Sequence, residues 1–389
     1  MTNALKLTIQ PIDPLISRDS RPFGQGQGTK IRSLEWLTPS VVCGSLRTSV
    51  GKSVGSFDVQ KLKSIKVRGP FLECEKSLYF PRPLDFVTDQ SMSNGGSISG
   101  YAIRPKALNP EDGVTEMPLG LDPTFAQDLP EEDFKPEHVP AFWSADAMSR
   151  WLAGELAREG RFSLPSSDCL EGPAKDERVH VGICSETGAS EDSLLFSTTG
   201  LDFKVKREGE KISQMSISIE VEPPEDYRET IEKKLSPLHV LGGERRLAEW
   251  RLLENTKNTI KGWTPPRISE TTRLRMILAT PAIFSQGWLP GWIDKGTKEG
   301  TIPGTNVKVS LVSAVIGRWV PISGWSYETG HSGPKPLRRM VPAGSVYFLK
   351  AIDAQSFDST LFESLWLRSV CDDAQDRNDG FGAALWGTW

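Results

Sequence analysis

The switch of hydrophobic period near the N-terminus constrains the fold most. In ALKLTIQ, residues 4–10, Leu5, Leu7 and Ile9 alternate as on a strand with one buried face, and Pro11 ends it. Farther on, Val42, Leu46 and Val50 recur at helical spacing behind Thr38 and Pro39, a fair N-cap and first-turn pair. The chain therefore opens strand, loop, helix. IKVRGPFLECEKSLYFPRP then reads as two extended runs. A second helix is predicted over 145–158, where Met148, Trp151, Leu152 and Leu156 share a face behind Ser144. Strands return at 179–183 and 193–198, and the order β, α, β, β, α, β is that of a ferredoxin-like half.

The second half repeats the theme without repeating the sequence. SQMSISIEVE alternates, RLRMILATPAIF, VKVSLVSAVIG and GSVYFLKAI read as strands, and DSTLFESLWLRSV reads as a helix before the glycine-rich GFGAALWGTW. The reading is an α+β protein of two tandem domains, residues 1–205 and 206–389, with a proline-punctuated acidic insertion near 105–140. The 35 glycines and 28 prolines fit many long loops.

No run approaches a membrane span and the N-terminus has no signal-peptide pattern, so the expectation is a cytoplasmic chain with no membrane partner. The five cysteines are scattered, which points to reduced thiols and to neither disulfides nor a zinc knuckle. A net charge of −4 argues against a nucleic-acid partner only until its distribution is seen. Residues 111–137 carry nine acids and one base, a local charge of −8, so the rest of the chain is at +4.

Between the first strand and the first helix lies RDSRPFGQGQG, with Arg18 and Arg21 beside Gly24, Gly26 and Gly28. The glycine spacing is wrong for a dinucleotide fingerprint, and Gly51-Lys52-Ser53 fails as a P-loop because Leu46 stands where its first glycine belongs. Bare backbone amides with two guanidiniums suit a phosphodiester chain; a turn whose arginines pair with Asp13 and Asp19 is the alternative. Other basic groups are Arg245 and Arg246 after Gly242-Gly243, Arg273 and Arg275, and Lys335, Arg338 and Arg339. Arg47 and Lys52 on the first helix could extend the Arg18 strip. Gly380, Phe381 and Gly382 bring further bare backbone near the C-terminus, for close approach to a ligand or merely a bulge. Tryptophans at 263, 288, 292, 319 and 325 could stack on bases, although most of the twelve should be core.

Catalytic constellations are thin. His138, His180, His239 and His331 lie in four separate regions with no metal-ligand spacing, so no metal and no cofactor is expected; His331, in a glycine-rich loop, alone is placed like a general acid/base.

Nine stretches in order, IDPLISRDSRPFG, LTPSVVCGSLRTSVG, RGPFLE, LYFPRPLD, LGGERR, LATPAIFSQGWLP, SGW at 323–325, KPLRRMVPAGSVYFL and GFGAALWGTW, run the length of the chain. Together they resemble the third-subunit family of the Cmr module, the type III-B CRISPR effector complex, within the RAMP superfamily. The resemblance implies two ferredoxin-like, RRM-like domains and a non-catalytic subunit. Such a subunit would hold the 5′ handle of the CRISPR RNA and join the large polymerase-like subunit beside the backbone RAMP subunits, meeting target RNA only indirectly. It also implies that the loop Gly380-Phe381-Gly382 faces RNA. The rival is a metal-independent RAMP endoribonuclease that processes precursor CRISPR RNA. The acidic insertion is not accounted for by the resemblance and is expected to be a peripheral flap or a protein-facing surface that does not line the RNA path.

Overall fold

A computed structural model describes residues 4–18, 29–90, 96–107, 120–126, 134–155, 161–205, 213–253, 260–328, 330, 332–352 and 356–389. It is a mixed α+β protein, mostly strand in several sheets. The expected boundary near residue 205 is replaced by an interleaved division. One compact unit takes Met1–Glu75, Gly172–Asn258 and Pro321–Arg339, and the other Lys76–Glu171, Thr259–Val320 and Met340–Trp389. The correction has a topological cause: the strand after the first helix pairs with a strand some 140 residues later, and Lys76–Glu171, which lies between them, belongs to the other unit.

In the first unit, the strand Leu5–Pro11 leads to the helix Pro39–Val54 and the strand Lys66–Cys74. The strand Ser216–Glu222, the short helix Glu225–Glu229 with its π-turn Thr230–Lys234, and the strand Leu247–Leu252 follow. Numbering the four strands in chain order, they lie 2-3-1-4 with antiparallel neighbours, and Leu238–Val240 pairs at the edge. The predicted alternation is what the core uses: Leu7 faces Ile219 and Leu252, Ile9 faces Ile217 and Trp250, and Val42, Leu46 and Val50 of the helix are buried. Thr38 occupies the N-cap position as expected, but its hydroxyl meets Ser40 Oγ at 3.2 Å and caps no amide.

The third strand of this sheet is therefore not the second extended run, which forms Ser77–Pro81, and the last is neither of those expected at 179–183 and 193–198. Those belong to a long hairpin, Ala174–Ile183 with Ser190–Asp202, joined in parallel by Thr29–Ile31. The helix predicted over 145–158 is Ala145–Leu152 and belongs to the other unit, with Ser144 Oγ accepting from the Ala147 amide as foreseen.

The second unit repeats the arrangement. Arg273–Leu278, Lys308–Val315, Val346–Ala351 and Ala384–Thr388 again lie 2-3-1-4, all antiparallel, with Glu299–Thr301 added at the edge. The helices Ser359–Leu365 and Ala374–Asp379 precede the last strand. No helix stands between the first two strands. Instead Ala145–Leu152 packs against Ala384–Thr388, so closely that a Cβ on Gly387 would sit 2.4 Å from the Leu152 carbonyl. Phe86, Trp143, Trp151 and Phe162 close this core, with Trp143 stacked on Phe162 at 5.6 Å.

Candidate nucleic-acid interface

The segment before the arginine-glycine loop is anchored from both sides. Leu15 and Ile16 are buried, Leu15 exchanges backbone hydrogen bonds with Leu201, and the Ser17 amide donates to Ser33 Oγ, which itself donates to the Thr199 carbonyl. Arg18 then bridges Ser33 and is exposed. Arg21 and the glycines at 24, 26 and 28 lie outside the described residues.

Against Ile16 rests the turn between Leu238–Val240 and Leu247–Leu252. The Gly243 amide donates to the Ile16 carbonyl at 2.7 Å, and a Cβ on Gly242 would be 2.6 Å from that same oxygen. Glycine is required at 242, where φ is +78° and a backbone atom stands in the way. Glu244 and Arg245 then adopt φ of 57° and 51°, a conformation that costs a non-glycine residue of order 1 kcal/mol and holds Arg245 exposed. Arg246 is half-buried and its carbonyl accepts from the Leu241 amide. The fold thus brings two arginine-bearing segments, more than 200 residues apart, to one buried isoleucine.

Lys52 belongs to the same neighbourhood. The first helix is tied to the hairpin by Ser45 Oγ donating to the Val240 carbonyl at 2.6 Å, and Lys52 is exposed near its end. His239, buried in the hairpin, is held below the usual histidine range by burial first and then by the Lys52 charge. Arg47 is different, which corrects its expected role. Its Nη2 donates to the Lys63 and Ile65 carbonyls at 3.0 and 2.7 Å, fastening the end of the short helix Val59–Lys63. Arg338 and Arg339 are exposed on the strand Arg338–Met340.

The C-terminal glycine loop is corrected too. Gly380, at φ +98°, ends the helix Ala374–Asp379, and its carbonyl accepts from Thr280 Oγ1. Phe381 is wholly buried, while the Gly382 amide donates to the Pro281 carbonyl and its carbonyl accepts from Val370. A Cβ on Gly382 would lie 2.6 Å from Cys371 Sγ. The two glycines permit left-handed backbone and tight internal packing; they do not form a bare surface.

The pair Arg273 and Arg275 is split by strand alternation. Arg273 lies over the Trp389 ring, 4.8 Å from its centroid, whereas Arg275 is completely buried. Its Nη1 donates to Asp85 Oδ2 at 2.9 Å and its Nη2 to the Trp151 carbonyl. Arg104 Nη1 reaches the same Asp85 oxygen at 3.1 Å, and Trp151 Nε1 donates to the other at 3.0 Å. Burial, with Arg275 beside it, pulls the Arg104 guanidinium down to about 9, which leaves it charged at neutral pH. Sequence reasoning missed Asp85 and Arg104 altogether, because partners 19 and 190 residues from Asp85 have no shared local pattern.

The histidines have separate neighbours. His138 Nε2 is 3.0 Å from Glu171, His180 stacks on Phe196, and His239 is buried opposite Ala248; His331 is outside the described residues. Among the described residues, no group of three His, Cys, Asp or Glu could hold a metal ion, and no helix is long and apolar enough to cross a membrane.

A family model described as CRISPR-associated protein (Cas_Cmr3) matches residues 7–389. No curated protein matches. Among solved structures, a chain of the type III-B Cmr-beta complex bound to cognate target RNA is similar at 14% identity and TM-score 0.48. That match covers 88% of this chain and 86% of that one. A chain of the Csm3–Csm4 subcomplex of the type III-A CRISPR-Cas interference complex is similar at 10% identity and TM-score 0.38, covering 90% and 96%.

Proposed function

The chain belongs to the CRISPR-associated Cas_Cmr3 family, and from that membership we propose that it is a non-catalytic RNA-binding subunit of a type III-B CRISPR ribonucleoprotein. It holds the 5′ handle of the CRISPR RNA and docks to the large polymerase-like subunit, beside the backbone RAMP subunits. The 2-3-1-4 sheets of the two units are its two ferredoxin-like domains, each with long insertions. One observation carries the RNA reading: the turn that bears the exposed Arg245 is bonded through the Gly243 amide to Ile16, two residues before the exposed Arg18, and the adjoining helix bears the exposed Lys52. Single-stranded RNA is gripped through its phosphates by such groups, and a turn that is already ordered loses little entropy on binding. Nine acids would repel phosphates, so the acidic segment 111–137, most of which lies outside the described residues, is not part of the proposed RNA path.

Handle-RNA binding by the full chain over a salt series tests this. Arg18→Ala with Arg245→Ala should weaken binding for all sequences alike and reduce the salt slope by roughly 0.7 per lost phosphate contact. A folded double variant with unchanged affinity and slope would reject the site. The nuclease alternative is decided separately. Repeat RNA incubated with the chain in EDTA should remain intact, and specific cuts abolished by His331→Ala would establish an enzyme.

A further inference from the structure

Residues 321–339 carry a second surface. Pro334 pairs with Trp325 and Gly333 with Ser326, the Lys335 amide donates to the Gly324 carbonyl at 2.7 Å, and Ser323 Oγ donates to the Lys335 carbonyl. With Arg338–Met340 paired to Val320–Ile322 at its base, this is a narrow antiparallel arm. Glu328 near its tip is bound by Lys63, with Gln60 at 3.5 Å, so the arm is tied to the short helix Val59–Lys63. Its large side chains are turned outward: Trp325 is 56% exposed and Tyr327 78%, whereas Trp143, Trp151 and Trp386 are completely buried.

We infer that this arm is a stacking site for an unpaired RNA base, with Lys335, Arg338 and Arg339 meeting the flanking phosphates. Ser326 between the rings is extended, which separates the Cα atoms of Trp325 and Tyr327 by about 6.6 Å. That is about twice the ~3.4 Å rise of stacked bases, a backbone spacing that gives one base room between the two rings when they turn to face it. Charge selects the partner. The described arm holds three cations, and Glu328, its one acid, is already neutralised by Lys63, in a chain whose net charge is −4. Exposed aromatics on one limb of the arm with cations along the other suit a polyanion with π-faces, and alanine replacement of a stacking ring costs a base contact about 5- to 150-fold. The inference rests on the proposal that the chain binds RNA, but it concerns side chains other than Arg18 and Arg245.

The test uses the full chain, a 12-nucleotide single-stranded RNA and an abasic oligomer with the same phosphates. Trp325→Ala with Tyr327→Ala should leave the thermal midpoint and the salt slope unchanged, lower affinity for the RNA about 10-fold or more, and leave the abasic oligomer unaffected. Trp325→Phe with Tyr327→Phe should restore most of the loss. Lys335→Ala with Arg338→Ala and Arg339→Ala should weaken both ligands and flatten the salt slope. If the ring variant binds RNA like wild type while Arg18→Ala with Arg245→Ala does not, the arm is not an RNA site and the proposed function survives. If wild type binds neither ligand, both fail. Intact RNA binding with loss of a co-purifying subunit would make the arm a protein contact and overturn the inference.

Discussion

The two units share a strand order and differ in what covers it. In the first, the 16-residue helix Pro39–Val54 comes directly off the first strand and buries an aliphatic stripe, Val42, Leu46 and Val50. In the second, the connection after Arg273–Leu278 has no helix, and the eight-residue Ala145–Leu152 lies on the sheet instead. So short a helix is marginal by itself. It is held by the buried Arg275, which binds the Trp151 carbonyl near its C-terminal end while sharing Asp85 with Arg104 and the Trp151 indole. A helix supplied by the local chain needs only an apolar stripe, whereas one supplied from elsewhere needs directional contacts.

The sharpest way to break this contrast is to remove the shared counter-charge. Asp85→Ala leaves two buried guanidiniums without their carboxylate and should cost about 3–5 kcal/mol, read by urea unfolding. A loss below about 1 kcal/mol would show that the charge cluster does not hold the second unit together. The paired glycines sharpen it next. Gly382→Ala meets φ +69° and Cys371 Sγ and should cost about 2–4 kcal/mol, leaving RNA affinity of the folded protein unchanged. Gly242→Ala should cost a similar amount but also weaken handle binding, because it displaces Ile16 beneath Arg18. Equal RNA phenotypes from the two would erase the distinction between a packing glycine and a site glycine.

A smaller effect is expected of Arg47→Met, about 1–3 kcal/mol from two lost charged hydrogen bonds, with handle affinity and salt slope as in wild type. A reduced salt slope would return Arg47 to the binding strip. The smallest concerns Glu73, a buried carboxylate of the first unit. Burial raises it, with the Thr8 and Ser218 hydroxyls opposing. Raised in the folded state, it favours folding fully below the unfolded value of about 4.3, and that contribution is lost as pH rises toward the folded value. Glu73→Gln should therefore be harmless at pH 7 and flatten stability above about pH 4.3. A large loss at pH 7 would mean that the first unit also depends on a buried charge.

Local pattern was informative where local pattern is what the structure uses. Leu5, Leu7 and Ile9 went inward, the first helix starts at Pro39, and SISIEVE is a strand. The assignment of SISIEVE to a second domain failed because alternation reports a face and not a partner. Both of its faces are covered, Glu220 being paired across the sheet with Arg68 at 2.6 Å. Among site residues, Arg18, Lys52, Arg245, Arg338 and Arg339 are on the surface. Arg47, Arg275 and the Gly380–Gly382 loop are structural, since a guanidinium or a glycine reads identically in sequence whether it meets solvent or a carbonyl.

The amino-acid sequence by itself determined the strands and helices, the absence of metal-ligand spacing and, through nine ordered motifs, the family. Those depend on side-chain period and residue order, which act over a few positions. Only the tertiary structure decided that the units interleave, that the turn bearing Arg245 is bonded to Ile16 near Arg18, and that Asp85 neutralises Arg275. Each of these joins groups about 140 to 230 residues apart, and such pairings are chosen by burial and hydrogen-bond satisfaction in the folded sheets, for which a one-dimensional pattern has no signal.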